Sequence, residues 1–349
     1  MNKKLVILLC LIILGAGASL AAADEKAPLD FNAFDGQPVG ARAISLGEAF
    51  AGIANDANAP YWNPAGLSLM KDNSFTVCSY LQRESNAKMD DIINSDPLRG
   101  GKIAFIGFAS KSGALSIRPL SKIASSTYTN ENGVETWLDK NINVNELMLT
   151  TAREYQENLY TGVSLNYFNS NLAVAQRTKD ATSDVTKVNV DTGNGWSLDL
   201  GLLFAPTQYL TFGVSALNAV GYMYWSDYQK NRIPLTLRTG VAMSLPQKVT
   251  FTYDFDRTYY QEHDDISSKH VGIEQVLFDM FLFRAGISGE DWNDPLKVAY
   301  TFGLGFNDNG YVIDVAMKKT VVQDSTYVDR LEPVLTYIVS LSLPFGQQQ

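Results

Sequence analysis

Cysteine and histidine are both scarce in this sequence. Its 349 residues include two cysteines, Cys10 and Cys78, and two histidines, His263 and His270. Removal of an N-terminal leader would take Cys10 with it and leave no pair for an intramolecular disulfide. His263 stands among acidic residues, but a metal site needs three or four converging ligands, and neighbours on an extended loop rarely converge. We therefore expect no disulfide framework and no metal site.

The signatures of enzyme and cofactor chemistry are missing as well. The sequence contains no nucleophile elbow, phosphate-binding loop or zinc-ligand spacing. Gly303 and Gly305 lie in a strand pattern without the βαβ unit that a dinucleotide fingerprint needs. Charged residues make up 19% of the chain and the formal net charge is −9, which argues against a nucleic-acid partner. We predict no enzymatic activity and no cofactor.

Only the N-terminus carries a long apolar run. Two lysines precede the run Leu5–Leu14, and the small-residue run Ala18–Ala23 follows it. This order predicts a cleaved secretory signal peptide at residues 1–23. A membrane anchor is the alternative, but the run is short for a span and ends in small residues.

A period of two runs through residues 73–346. In 196–204 and again in 335–345, every second residue is large and apolar. Such alternation predicts β-strands, because successive side chains point to opposite faces of a sheet. The intervening positions include these charged residues: Asp199, Arg238, Asp254, Glu274, Arg284 and Asp314.

The breaks between these strands alternate between short and long. The short breaks are 111–112, 154–157, 205–208, 246–247, 278–280 and 307–310. The long breaks are 82–101, 121–143, 179–194, 218–234, 257–269, 289–297 and 320–333. Tight periplasmic turns and longer extracellular loops are typical of outer-membrane barrels.

We therefore predict an all-β fold, a transmembrane antiparallel barrel of about 14 strands in the outer membrane. A soluble β-sandwich is the alternative, and the signal peptide favours the barrel. The stretch 159–178 is long for one strand and could be two. The expected partners are outer-membrane lipids and the barrel-assembly machinery. Residues 347–349 are expected to form a polar tail.

Residues 24–72 do not follow the strand pattern. The stretch 40–54 is rich in small residues and carries apolar side chains at roughly helical spacing, and 55–67 is dense in turn formers. This length is too great for a simple tail, and its apolar content requires burial. We predict a partly helical hatch, or plug, that occupies the barrel lumen.

Several motifs in this segment resemble a known signature. Gly40-Ala-Arg-Ala, Ala54-Asn-Asp-Ala and Tyr61-Trp-Asn-Pro-Ala-Gly-Leu are similar to the N-terminal signature of the FadL-like superfamily of long-chain fatty acid transporters, and within it to the PorV/PorQ-like branch. The resemblance covers nearly the whole mature chain. It implies a fourteen-stranded barrel with an N-terminal hatch. It also implies the following hatch residues: Asn55, Asp56, Asn63, Pro64, Ala65 and Gly66.

Aromatic residues cluster near the predicted strand ends. An aromatic girdle at the membrane interfaces explains most of them. The alternative is a ligand-capturing mouth, with Tyr222, Tyr224, Trp225 and Tyr228 as its best candidates. Pro119 either ends its strand or leaves a lateral gap in the wall, because proline cannot donate to the hydrogen-bond ladder.

Two functions remain open. In the first, the barrel moves a hydrophobic small molecule or exported cargo, and the hatch shifts to release it. In the second, the barrel is a PorV-like scaffold that binds exported proteins for surface attachment without transporting them. A lumen lined by apolar side chains from mouth to wall favours the first.

Overall fold

The structure, a computed structural model, describes residues 37–83, 103–131, 134–261, 264–323 and 331–346. Its strands are β1 (Ser74–Arg83), β2 (Ile103–Ala109), β3 (Gly113–Glu131), β4 (Val134–Gln156), β5 (Leu159–Lys179), β6 (Asp184–Thr207), β7 (Leu210–Trp225), β8 (Asn231–Arg232), β9 (Leu235–Ser244), β10 (Val249–Tyr259), β11 (Ile266–Leu277), β12 (Phe281–Gly289), β13 (Val298–Asp308), β14 (Tyr311–Gln323) and β15 (Leu331–Pro344).

Fourteen of these strands form a closed antiparallel barrel, which confirms the predicted fold class. Each long strand pairs with its neighbours in the chain, and β1 pairs with β15 to close the ring. The short β8 pairs only with the end of β7. Closure leaves no open sheet edge, which a membrane-spanning sheet requires.

Large apolar side chains point away from the barrel axis. On β13, Thr301 and Gly303 are buried, whereas Phe302 and Leu304 are 54% and 59% exposed. The same arrangement recurs on β12, where Phe281 and Phe283 are exposed. A soluble sandwich would bury these residues, so the outer surface is suited to lipid and the interior is polar.

Six tight connections lie at one end of the barrel. They join β2–β3, β4–β5, β6–β7, β9–β10, β11–β12 and β13–β14. At the last of them Asn309 and Gly310 have φ angles of 49° and 86°, the left-handed pair that a two-residue hairpin turn favours. In outer-membrane barrels, connections this short lie at the periplasmic end.

Two predicted long loops were wrong, because they are largely strand. The β3–β4 hairpin continues to Glu131 and Val134, and the β5–β6 hairpin to Lys179 and Asp184. Strand β4 has 23 residues, roughly twice the 9–11 that crossing a bilayer requires. A hairpin above the membrane has water on both faces and so shows no apolar alternation, which is why these segments were mistaken for loops. Leu159–Lys179 is a single strand.

The N-terminal part of the described chain runs inside the barrel. We call residues 37–70 the inner segment. It contains helix α1 (Ala41–Ser45), helix α2 (Ala59–Trp62) and a 3-10 helix (Pro64–Leu69). Among the described residues, no helix is both long and apolar enough to cross a membrane.

Candidate functional site

Glycines of the barrel wall, which we call the glycine belt, lie directly against the inner segment. Seven strands each contribute one glycine against it: Gly162, Gly201, Gly213, Gly240, Gly272, Gly286 and Gly303. A Cβ placed on Gly213 would lie 2.1 Å from the Ala51 carbonyl oxygen, and one on Gly286 would lie 2.2 Å from the Gly47 nitrogen. A side chain at Gly213 or Gly286 would clash with the backbone of the inner segment, so these glycines let that segment lie close to the wall.

Polar wall residues bind the backbone of the inner segment. Asp254 Oδ2 accepts hydrogen bonds from the amides of Phe50 at 2.7 Å and Ala51 at 2.6 Å. Ser215 donates its hydroxyl to the Trp62 carbonyl at 2.9 Å. Buried backbone groups outside regular structure need such partners, so the polar inner face explains how this irregular segment can be buried.

A buried ion network joins the inner segment to three strands. Arg42 Nε lies 3.1 Å from Glu274 Oε2, and Arg284 Nε lies 2.6 Å from the same oxygen. Arg284 Nη1 is 2.7 Å from Asp314 Oδ1, and the Arg284 side chain is fully buried. Glu274, Arg284 and Asp314 therefore all face inwards.

A second set of charges holds the turn after helix α1. Glu48 pairs with Lys318 at 2.5 Å. Burial alone would raise the pKa of the Glu48 carboxyl, but the charge and hydrogen bond of Lys318 act together with other nearby positive groups and keep that pKa below its usual value. His270 is buried, and its Nδ1 lies 2.8 Å from the Gly47 carbonyl oxygen.

The Asn-Pro-Ala-Gly element occupies the centre of the inner segment's contact with β5 and β6. Asn63 is fully buried, and its Nδ2 donates to the carbonyls of Ala51 and Leu202, each at 3.1 Å. Its Oδ1 accepts from the Ala65 amide and so caps the 3-10 helix. Pro64 follows at the first helical position, where its fixed φ suits a helix start.

Three further residues were predicted to belong to the hatch: Gly66, Asn55 and Asp56. A Cβ on Gly66 would lie 1.8 Å from the Ala54 carbonyl oxygen, so this glycine permits the chain to cross itself. Asn55 accepts a 2.6 Å hydrogen bond from Arg42, and Asp56 accepts one from the Asn58 amide at 2.8 Å. Both polar residues border a cavity of about 500 Å³ that opens at the tight-turn end.

The four aromatic residues predicted to form a mouth do not face the same way. Trp225 is buried and belongs to an inward apolar cluster, against which Tyr228 packs. Tyr224 is 48% exposed on the outer face. Tyr222 is partly buried and borders a notch beside Pro234.

We call this inward group the upper apolar cluster. Its buried members are Leu120, Ile142, Val144, Phe168, Leu172, Met223, Trp225 and Ile233. Of these residues only Trp225 was predicted to bind a ligand, because the others interrupt a face that is otherwise polar. The available signal was local: Ile142 and Val144 on β4, and Phe168 and Leu172 on β5, alternate with asparagines, so only one face is apolar there.

Pro119 lies where the wall loses its regular pairing. The β2–β3 ladder ends at Ile106 and Ile117, two residues before the proline. The β3–β4 register shifts between Pro119 and Ser121, so Leu120 is left unpaired and is buried in the upper apolar cluster. An interruption of the sheet therefore adjoins the apolar part of the lumen.

No family model and no curated protein matches the chain. The toluene transporter TodX of P. putida aligns over 90% of this chain and 100% of its own, with 15% identity and a TM-score of 0.59. The monoaromatic hydrocarbon channel CymD aligns over 92% and 100%, with 13% identity and a TM-score of 0.57.

A FadL homologue of Pseudomonas aeruginosa aligns over 91% of this chain and 98% of its own, with 13% identity and a TM-score of 0.51. This chain has their fold. At such identities the likeness is one of fold alone.

Cys78 offers a direct probe of the inner segment. It is fully buried on β1 and packs in a cluster with Val39, Ala41 and Ile44. We expect a water-soluble maleimide to leave Cys78 unlabelled in the parent and to label it in an Ile44→Asp variant, whose buried charge is costly to desolvate. Lys71→Asp, at an exposed position just past the segment, is the matched control. Peptide mapping shows whether Cys78 carries the label. Rapid labelling of Cys78 in the parent would contradict this packing.

Proposed function

We propose that this protein moves small hydrophobic molecules across the outer membrane. The observation that carries this proposal is the upper apolar cluster, which extends from Trp225 near the open end to Leu120 beside the interruption at Pro119. An apolar solute that left water at the mouth would gain about 25 cal/mol for each Å² of its surface that this lining buries. A polar solute, the cargo of a hydrophilic porin, would gain nothing from this apolar lining.

The inner segment acts as the hatch in this proposal. Its buried helices and its contacts with the glycine belt block a straight path through the barrel. A solute held in the upper apolar cluster therefore has two exits: sideways past Pro119, or down after displacement of the hatch. TodX and CymD, whose fold this chain shares, carry toluene and monoaromatic hydrocarbons respectively, and we extend that class of cargo to this protein.

Uptake of radiolabelled toluene by cells that produce the protein tests the proposal. We expect the parent to raise the initial uptake rate well above that of cells without the protein. Deleting Leu120 and replacing Pro119 by valine removes the unpaired residue and restores a regular β3–β4 ladder. If cargo leaves sideways, this change should lower uptake about tenfold, toward the rate of cells without the protein, while the barrel still folds.

The chain offers a matched control for this deletion. Tyr155 is also skipped in a strand register, between Glu154 and Gln156, but it lies at the tight-turn end and is 56% exposed. Deleting Tyr155 should leave toluene uptake unchanged. Equal uptake by the parent and the straightened variant would eliminate the lateral route, and no uptake by the parent would eliminate the proposed function.

A specific observation favours a second function. The β3–β4 and β5–β6 hairpins rise beyond the membrane-crossing part, and β6 exposes Val185, Val188 and Val190, the last two by 66% and 65%. An exposed apolar strand surface suits protein binding, which fits a PorV-like scaffold for exported proteins. Shortening both hairpins, by removing 124–141 and 174–189, should then abolish co-purification of exported proteins and leave toluene uptake intact.

A further inference from the structure

The notch opens on the outer face of the barrel, near the end opposite the tight turns. The β7–β9 ladder ends at Leu217 and Thr236, and beyond that point β7 has only the two-residue β8 on this side. The gap that remains has a volume of about 520 Å³. Tyr222, Leu235 and Tyr259 line it and alternate with inward-facing residues of their strands, so they point outwards. The notch therefore faces the bilayer and not the lumen.

The height of the notch follows from the outward residues of neighbouring strands. On β4, β5 and β6 these residues change from large apolar side chains to asparagines. The last apolar residue and the first asparagine are Leu147 and Asn145, Tyr167 and Asn169, and Trp196 and Asn194. Trp196 pairs with Tyr167 on one side and with Tyr222 on the other. Tyrosine and tryptophan mark the boundary between membrane and water, so the notch lies at the level of the lipid head groups.

Two cations border the Tyr222 side of the notch. Arg232 is exposed, and as the partner of Tyr222 in the β7–β8 ladder it points outwards with that ring. Lys230 is exposed as well, and its Nζ lies 5.7 Å from the centre of the Tyr222 ring. Within the part of the chain that the structure describes, neither cation forms an ion pair. Both are therefore available to an anion at the membrane surface.

The opposite wall of the notch adds a third cation. The Arg257 guanidinium carbon lies 5.1 Å from the centre of the Tyr259 ring, and Asp265 pairs with Arg257 at 2.9 Å. None of the described residues that line the notch is acidic. The whole chain has a formal net charge of −9, so these contacts are a local exception in which positive charge prevails. Such a surface suits an anionic group.

We propose that the notch binds a phosphorylated glycolipid of the outer leaflet, of the lipid A type. Arg232 and Lys230 hold a phosphate of its sugar head, since arginine binds phosphate with parallel hydrogen bonds and lysine binds it as a point charge. One acyl chain lies along Tyr222, Leu235 and Tyr259. A free phosphate would satisfy the cations but leave these apolar walls uncovered. The site lies on the outer surface and does not depend on the proposed transport.

Three lipids test this site on the parent protein. They are diphosphoryl lipid A, monophosphoryl lipid A with the same acyl chains, and phosphatidylethanolamine, whose phosphate is neutralised by its own amine. Binding is measured by native mass spectrometry of the full-length protein in detergent micelles. We expect diphosphoryl lipid A to bind at least about tenfold more tightly than phosphatidylethanolamine, with the monophosphoryl form between them. Equal affinities of the three lipids would overturn the proposal.

Inorganic phosphate distinguishes a lipid from a free anion. Because the acyl chain contributes to binding, millimolar phosphate should leave the bound fraction of diphosphoryl lipid A unchanged. Displacement of the lipid under these conditions would show a site for the free anion and would overturn the assignment to a lipid.

A double variant then locates the effect. Each cation close to an anionic lipid contributes a factor of about five in affinity, so Lys230→Gln with Arg232→Gln should weaken binding of diphosphoryl lipid A about 25-fold. Lys179→Gln with Lys187→Gln is the control, because it removes the same charge from exposed positions on the β5–β6 hairpin. The control should bind like the parent. Parent affinity in the first variant, or an equal loss in both, would also overturn the proposal.

Discussion

Replacing Gly286 by valine is expected to push the inner segment off the wall and open the barrel. A Cβ at this position would lie 2.2 Å from the Gly47 nitrogen and 2.4 Å from the Leu46 carbonyl carbon. Both atoms belong to backbone, so no side-chain rotation relieves the clash. Overpacking of this kind costs typically about 1–3 kcal/mol and sometimes more, and a clash with fixed backbone places it at the upper end. We expect a lower unfolding temperature together with ion leak through single barrels in planar bilayers.

Gly113→Val is the matched control for this substitution. Gly113 also lies in a strand, at the start of β3, but a Cβ there would meet only the Thr150 carbonyl oxygen, at 3.1 Å. The neighbour must yield by a few tenths of an ångström at most, so stability and conductance should stay near those of the parent. The glycine belt would lose its assigned role if the two variants behaved alike.

Replacing Arg284 by methionine is expected to destabilise the barrel more than any surface charge change. Its guanidinium lies between Glu274 and Asp314 at 2.6 and 2.7 Å, and its side chain is fully buried. Removing one partner of a buried pair leaves an uncompensated charge and costs about 3–5 kcal/mol. Chemical unfolding in detergent micelles, followed by tryptophan fluorescence, measures the loss.

Lys248→Met supplies the comparison for the ion network. Lys248 also pairs with an aspartate, Asp279, but both side chains are more than half exposed at the tight-turn end. Exposed pairs contribute little because solvent screens them, so this change should be close to neutral. A cost for Arg284→Met no larger than that of Lys248→Met would show that the buried network does not stabilise the fold. Adding Asp314→Leu to Arg284→Met should recover part of the loss, because the unpaired carboxylate is then gone.

The barrel could be predicted from the sequence because its signal is local. In a strand such as Val298–Asp308 the lipid-facing and lumen-facing residues alternate one by one, and nothing distant is needed to recognise it. The upper parts of β4 and β5 lack that signal, because their outer face carries polar residues such as Asn143 and Asn171 in place of large apolar ones. These segments fold as hairpins through pairing such as that of Tyr128 with Trp137, whose ring centroids lie 5.3 Å apart, and such pairing becomes visible only once the register is known.

The contacts between the inner segment and the barrel wall could not be predicted from the sequence, because they join residues far apart in the chain. Asp254 accepts from the Phe50 amide across 204 positions of the chain, and only closure of the whole barrel brings them together. The same holds for the glycine belt, since a strand glycine alone does not reveal what approaches it. Asn63 could be singled out because its motif is contiguous, whereas Glu274, Arg284 and Asp314 of the buried ion network come from three different strands.

Single-channel conductance in planar bilayers tests most directly the claim that residues 37–70 close this barrel. The full-length protein and a variant without those residues are compared in the same lipid and salt. The inner segment fills the lumen with buried side chains such as Phe50 and Trp62, so the account predicts little or no conductance for the parent. For the variant it predicts large, stable steps of the kind an open fourteen-stranded barrel allows. Equal conductance of the two proteins would contradict it.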